Sequence, residues 1–393
     1  MSEESKIPPA DNRTTPGDKT STNLPLCWGH RGVSRDFHSD SCVPNSNNSQ
    51  PVLFPPKKTT QASATFPENT LCSFEAAIKD GAEGIESGKR GPVQRRFERG
   101  KKNPSSSLSY DLTQNLINIR FTFSPSLERT TDGEGKIESL NYRNGIDCFR
   151  TLETPHQKIP TFDETLELLM LKDNQHVILN VDCKVSLSQL SIPLDFFKPD
   201  LLNQSQPNND PARLFKLIKT SIDRYAAHET SLNGRIILGI WHPKFIQASV
   251  EILPDLKKVY IGTSPSTARK YFWESCSGFS MKFSCLVGFE GQKFRQDCIK
   301  YHKSLFVWTV NDRLEMIEAS KWGVDAILTD KTADYLELRR QMKDDWEAIT
   351  AETSILFPYR SIHYNGLVSW LWGTIDSYSL ARSVGPFHSI STQ

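Results

Sequence analysis

The chain has 393 residues and a formal net charge of +1, too long for one small domain and suited to a single α/β barrel of about 250 residues with extensions at its ends. A nearly neutral chain sets up no global field that would recruit nucleic acid or repel a membrane, so no nucleic-acid partner is expected. Cys27, Cys42, Cys72, Cys148, Cys183, Cys276, Cys285 and Cys298 form no CxxC pair and no zinc-like spacing with histidine, which argues against a zinc site or a disulfide framework and for a reduced, intracellular compartment.

Residues 1–24 are polar and Pro-rich, with no apolar stretch of the signal-peptide kind, and read as a disordered arm. No run of apolar residues is long enough to predict a transmembrane span. Short β-rich runs then follow at residues 26–29, 84–87, 176–181, 235–241, 258–262, 278–283, 305–310 and 326–328. Helical patterns alternate with several of them: 71–79 behind the capping residues Asn69 and Thr70, 162–171 with Thr161 or Asp163 near its start, then 213–225, 267–274 and 313–321. Repeated β-then-α units predict a parallel sheet with helices outside. Eight or nine strands favour a closed TIM-type (β/α)8 barrel over an open doubly wound sheet, and no GxGxxG turn follows the first strand.

Two segments interrupt the alternation. Residues 33–61 are polar and rich in Pro, Ser and Asn, and read as a loop. Residues 88–109 carry seven Lys or Arg between Lys89 and Lys102 against Glu98 alone; a solvated loop is the simple reading, an anionic-lipid or nucleic-acid patch the alternative. Residues 116–123 (LINIRFTF) alternate like a strand. The third strand is therefore this segment or is missing, in which case a damaged barrel is expected.

Barrel enzymes carry their chemistry at the C-terminal ends of the strands. His30 and Arg31 follow the first strand, where a histidine can move a proton while an arginine neutralises a bound anion. Pro67-Glu68-Asn69-Thr70 forms the next turn. Glu86 follows the second strand; Asp182 and Lys184 follow the fourth. Carboxylates are hard oxygen ligands suited to Mg²⁺ or Ca²⁺, and a lysine suits a phosphate oxygen. Each alone also reads as a loop cap or a surface pair; at successive strand ends the functional reading is the stronger.

Nine blocks lie in order along the chain: GHRG (29–32), FPENTLCSFEAAIKDGAEGIES (66–87), PSLERTTDGEG (125–135), IPTFDETLELL (159–169), NVDCK (180–184), IWHPKF (240–245), IGTSPS (261–266), WTVN (308–311) and DAILTD (325–330). Over about residues 27–335 they resemble the glycerophosphodiester phosphodiesterase family, above all its fungal members of the phosphatidylglycerol phospholipase C type. The resemblance implies a barrel of the PLC-like phosphodiesterase kind and a phosphoric diester hydrolase of lipid metabolism, acting on glycerophosphodiesters or glycerophospholipids. It makes His30 a general acid/base and Arg31 a phosphate ligand. It makes Glu86 and Asp182 ligands of a divalent cation, Mg²⁺ or Ca²⁺. Lys184 would contact phosphate, and Trp308 and Asn311 would line the substrate pocket.

The sequence departs from the family at two places. Where the family reads Glu-x-Asp, Glu86 is followed by Ser87 and Gly88. The His-Asp pair expected before Pro125 is replaced by Phe123 and Ser124. Two explanations stand: a barrel that has lost catalysis, or a reading frame that runs through noncoding sequence at 33–61 and 88–124. The matching functional alternatives are an enzyme and a catalytically impaired lipid- or phosphate-binding barrel.

The expected organisation is an arm at 1–24, a barrel domain at 25–339 and an amphipathic tail at 340–393. In the tail, Leu367, Trp370, Leu371, Thr374 and Tyr378 share one helical face, with Ile375 beside it. That face suits either peripheral membrane contact or packing on the barrel, while Gly366 and Gly373 count against a long helix. The implied location is cytoplasmic or peripheral on a membrane.

Overall fold

The computed structural model describes residues 24–32, 66–90, 120–121, 127–135, 145–183, 210–226, 232, 234–354, 357, 361–364 and 366–388. Its strands are β1 (Leu26–His30), β2 (Gly84–Arg90), β3 (Arg120–Phe121), β4 (Ile178–Cys183), β5 (Ile236–Ile240), β6 (Lys257–Gly262), β7 (Gly278–Lys282), β8 (Ser304–Trp308) and β9 (Ala326–Thr329). From β4 to β9 each strand pairs in parallel with the next, β9 pairs with β1, β1 with β2, and β2 with β4. The result is a closed ring of eight parallel strands, the TIM-type barrel expected from the alternation.

The third strand is where the sequence expectation needs correction. Of that segment the described residues are Arg120 and Phe121, which form a strand antiparallel to the far end of β2 and outside the ring. The barrel is not damaged by this, because β2 pairs directly with β4 from Gly84↔Ile178 to Lys89↔Cys183. Gly88, Lys89 and Arg90, expected to open a loop, instead extend β2. The edge of β4 offers ladder hydrogen bonds that need no particular side chain. The expected arm (described only at Leu24), residues 33–61, and the rest of 88–124 lie outside the described residues.

The helices are α1 (Leu71–Asp80), α2 (Phe162–Met170), α3 (Pro211–Asp223), α4 (Lys244–Ile252), α5 (Pro265–Tyr271), α6 (Phe283–Val287), α7 (Phe289–Lys300), α8 (Arg313–Ser320), α9 (Thr332–Asp344), α10 (Trp346–Thr350) and α11 (Gly366–Val384). Capping boxes start α1 and α2: Thr70 with Ser73, and Thr161 with Glu164, each satisfy two end N–H groups reciprocally. The outer core lies between strands and helices, with Phe74, Phe162, Leu166, Val181 and Phe279 among its fully buried members.

A second, smaller cluster fills the lower barrel: Trp28, Ile237, Val259, Phe306, Ala326 and Leu328. Trp28 and Phe306 meet with ring centroids 4.5 Å apart. Gly84 makes room for this plug, since a Cβ there would lie 2.6 Å from the Trp28 indole nitrogen. Successive side chains of a strand alternate between faces, so His30, Glu86, Asn180 and Asp182 point inward above the plug. Apolar below and polar above is the arrangement that builds the site.

The boundary at 339 falls inside α9, whose Tyr335, Leu338 and Met342 are buried in the outer core. Further on, Phe357 stacks on Tyr364 at 5.4 Å and meets Phe283 edge-on at 6.2 Å. α11 is packed on the barrel mouth and also keeps its apolar stripe outward. Gly373 is the one buried residue among those of α11 whose burial is described, and a Cβ there would come within 2.9 Å of the Thr263 carbonyl oxygen. The glycine counted against the helix is thus what lets it sit so close. On the expected stripe, Leu367 is 72% and Tyr378 63% exposed. Gly373→Val should undock α11 at a cost of about 1–3 kcal/mol, seen as faster hydrogen exchange across 366–384. Gly366→Ala, whose Cβ would meet nothing within 4 Å, is the control that leaves exchange unchanged.

Beyond α11 the chain is tied down by His242. Its Nε2–H donates to the Gly385 carbonyl at 2.9 Å, and its Nδ1 accepts from the Lys244 N–H at 3.1 Å. Phe387 packs edge-on against the ring at 4.6 Å. Burial pushes the imidazole down to about 4. The fold therefore holds the neutral form, and its contribution is complete above the unfolded value of about 6.5 and lost as pH falls toward 4. The loss is on the order of 3 kcal/mol. The thermal midpoint of the wild-type chain should fall over that window relative to His242→Gln, and an imidazole NMR titration with a midpoint at 6 or above would refute the assignment.

Candidate active site

β1 ends in a sharp turn. Arg31 and Gly32 both have positive φ, 59° and 84°, and a Cβ on Gly32 would collide with Ser73. The Arg31 N–H donates to the Glu86 carbonyl at 3.1 Å, and the Arg31 carbonyl accepts from the Asn69 N–H at 2.9 Å. Ser73 Oγ donates to the same carbonyl at 3.2 Å. The HRG and ENT blocks, far apart in the sequence, are thereby one turn in space.

His30 Nδ1 lies 2.9 Å from Asp330 Oδ1, just beyond the end of β9. A carboxylate accepts only, so Nδ1 carries the proton and Nε2 is left for the chemistry. Thr309 Oγ1 sits 3.2 and 3.3 Å from the two ring nitrogens. Asp330 is itself held: its Oδ2 accepts from Asn311 Nδ2 at 2.7 Å, and its N–H donates to Asn311 Oδ1 at 2.9 Å. Thr329 Oγ1 donates to the same Asn311 oxygen at 3.0 Å. Asn311, expected to line the substrate pocket, holds Asp330 and Thr329 with its amide.

Glu86 lies level with His30 in the β1–β2 register. Its Oε1 accepts from Asn180 Nδ2 at 3.2 Å. Asp182 is two residues further up β4, and its Oδ1 accepts from the Trp241 indole at 2.6 Å. Both carboxylates are buried. Trp241 packs on Trp308 at 5.8 Å, and the Trp308 indole donates to the Ser280 carbonyl at 2.9 Å.

On the rim, Glu68 pairs with Arg31 at 2.9 Å and with Arg129. Burial pushes the Glu68 carboxyl up, but the two guanidinium groups outweigh it and hold it below the ordinary value. A cavity of about 500 Å³ opens at the mouth, lined by Lys282, Trp308, Thr309 and, from the α11 side, Trp372 and Asp376. That size suits a small polar ligand.

His30, Arg31, Glu86, Asp182, Trp308 and Asn311 thus all lie at the C-terminal side of the barrel strands. Lys184 lies outside the described residues. The donors present fit a divalent cation in kind: two buried carboxylates, with the amide oxygen of Asn180 buried beside Glu86 and without a hydrogen-bond partner. All are hard oxygens. Among the described residues no three His, Cys, Asp or Glu cluster as a metal group. The level of Asp182 on β2 is occupied by Gly88. Asp330, Thr309, Trp241 and Asn180 were missed from sequence. Asp330 and Trp241 also close apolar runs, so the strand-end rule applied to every strand would have found them.

A search of curated proteins gives no match. Among solved structures, a glycerophosphodiester phosphodiesterase from Parabacteroides distasonis is similar at 17% identity, covering 81% of this chain and 98% of that one, with a TM-score of 0.51. One from Agrobacterium tumefaciens is similar at 15% identity, covering 81% and 100%, with a TM-score of 0.50. At such identities these likenesses speak for the fold. The sequence profile of the glycerophosphoryl diester phosphodiesterase family matches residues 124–334. That span is more than half of the sequence and reaches from the segment before Pro125 through β9. The chain therefore belongs to the glycerophosphoryl diester phosphodiesterase family, a family of enzymes.

Proposed function

We propose that the chain hydrolyses glycerophosphodiesters or the headgroup ester of glycerophospholipids, phosphatidylglycerol in a phospholipase C-type reaction being the substrate of choice. The observation that carries this reading is His30, held by Asp330 and Thr309 beside two buried carboxylates. Arg31 offers its guanidinium to the phosphate, in competition with Glu68. His30 Nε2 takes the proton from the headgroup 2-hydroxyl, whose oxygen attacks phosphorus while the bond from phosphorus to the other ester oxygen breaks; that oxygen leaves as the free alcohol with the proton His30 has taken, and water then opens the cyclic glycerol phosphate. Asp330 keeps the ring in register and stabilises its charged form. A divalent cation, Mg²⁺ or Ca²⁺, bound by Glu86 and Asp182 would neutralise charge that grows on the phosphate. Lys184 would add a second cation to the phosphate.

The second reading, a lipid- or phosphate-binding barrel with impaired catalysis, is favoured by Gly88 and by Phe123-Ser124 in place of the expected carboxylate and His-Asp pair. Hydrolysis of a soluble glycerophosphodiester and of phosphatidylglycerol, with Mg²⁺ or Ca²⁺ added, separates the two. Turnover no faster than that of His30→Ala would leave the binder as the surviving reading.

The place of work proposed is inside the cell, at a membrane surface. No helix among the described residues is long and apolar enough to cross a membrane. α11 instead offers Leu367, Trp370, Leu371 and Tyr378 outward, with Trp372 beside them in the lining of the mouth. Tryptophan and tyrosine favour the headgroup region. Contact through α11 would bring the mouth to its lipid.

A further inference from the structure

A second cavity, of about 760 Å³, lies between α5, α7 and α11. Its lining includes Arg269, Lys270, Lys293, Phe289, Ser284 and Trp370. The charge is one-sided. Glu290, the acidic residue of the lining, is engaged by Arg269 at 3.0 Å, and Arg269 also binds Asp297 at 2.7 Å. Lys270 and Lys293 are exposed and make no ion pair among the described residues; Lys270 rests over the Tyr271 ring at 4.9 Å. The apolar side is as unusual. Phe289, the first residue of α7, is 80% exposed, and Trp370, which lines the same cavity from α11, is 58% exposed. An exposed aromatic pair beside two unpaired ammonium groups has no role in the core and marks a contact surface.

We propose that this groove binds the headgroup of an anionic phospholipid within a bilayer, Lys270 and Lys293 taking the phosphate while Phe289 and Trp370 enter the acyl boundary. Charge complementarity selects the occupant: a cationic groove continuous with the outward stripe of α11 fits a negatively charged lipid surface. The groove adjoins the catalytic mouth, sharing Thr263, Ser284 and Ser369 with it, but Lys270, Lys293, Phe289 and Trp370 belong to the groove alone. It would fix the angle at which the mouth meets the membrane. The inference rests on membrane contact through α11 and not on the chemistry of His30.

The test is co-sedimentation of the full chain with vesicles of phosphatidylcholine, and of phosphatidylcholine mixed with phosphatidylserine, which supplies charge without a glycerol headgroup. Binding to the mixed vesicles should be stronger by roughly tenfold or more and should fall with salt. Lys270→Glu with Lys293→Glu should remove that preference, and Phe289→Ser with Trp370→Ser should weaken binding to both vesicle types. All four positions are exposed, so the variants should fold. Wild-type protein that ignores both vesicles, or charge reversal without effect, would overturn the proposal. So would displacement by soluble glycerol phosphate, which would make the groove a site for the free ion. Self-association lost in the Phe289/Trp370 variant, without vesicle binding, would give the face to a second copy and equally overturn it. His30→Ala should keep vesicle binding while losing hydrolysis, so the two readings fail separately.

Discussion

Asp330→Ala will slow phosphodiester hydrolysis by roughly 10²–10⁴-fold, about as much as His30→Ala. The reason is the chain of contacts Asn311–Asp330–His30. Without the carboxylate, nothing fixes which ring nitrogen carries the proton, and the positive charge gained when Nε2 takes a proton loses its partner. Asp330 acts as a positioning residue, and so the double variant should be scarcely slower than either single one, because the two work as a unit. Additive losses would separate them and sink this account. Asp330→Asn should be nearly as slow, since its amide can present the wrong hydrogen-bonding group to Nδ1.

Gly88→Asp will raise the affinity for Mg²⁺ or Ca²⁺ by roughly 10–100-fold, read by calorimetry. Gly88 pairs with Asp182 in the β2–β4 register and lies two residues above Glu86. By the two-residue period of a strand, an aspartate there faces the same side as Glu86 and adds a third carboxylate at the mouth. Gly88→Asn, with no charge, should gain little. If the aspartate variant binds either ion no more tightly than the wild-type chain, Glu86 and Asp182 do not form a metal site. Hydrolysis should rise with affinity in the aspartate variant, although His30 would still work without a second histidine.

The eight ring strands were legible because short β-rich runs alternate with helical patterns, and α1 and α2 because their caps are written in Thr70 and Thr161. α7 was not: its sequence, FEGQKFRQDCIK, has a weak apolar period, and Gly291 is there because a Cβ would strike the Leu286 backbone, a demand of packing. The direct β2–β4 pairing was equally hidden, since backbone edges choose one another without a side-chain signature. His30, Glu86 and Asp182 could be found by asking what closes each strand. The duty of Asn311 could not, because it depends on Asp330, 19 residues along, arriving beside it in three dimensions.

The seam of the ring joins its two ends. β1 finds one parallel neighbour in β2 and the other only in β9, with His30 and Asp330, 300 residues apart, meeting at the top of that seam. During synthesis β1 leaves the ribosome before every other strand of the ring and must wait for the rest of the barrel before its second edge is covered. An uncovered strand edge is a template for other chains, and late, distant pairing is slow. A transcript cut short before β9 would therefore yield a nascent chain with Glu86 and Asp182 in place but Asp330 missing, and with an open, adhesive flank fit for chaperones or the protease.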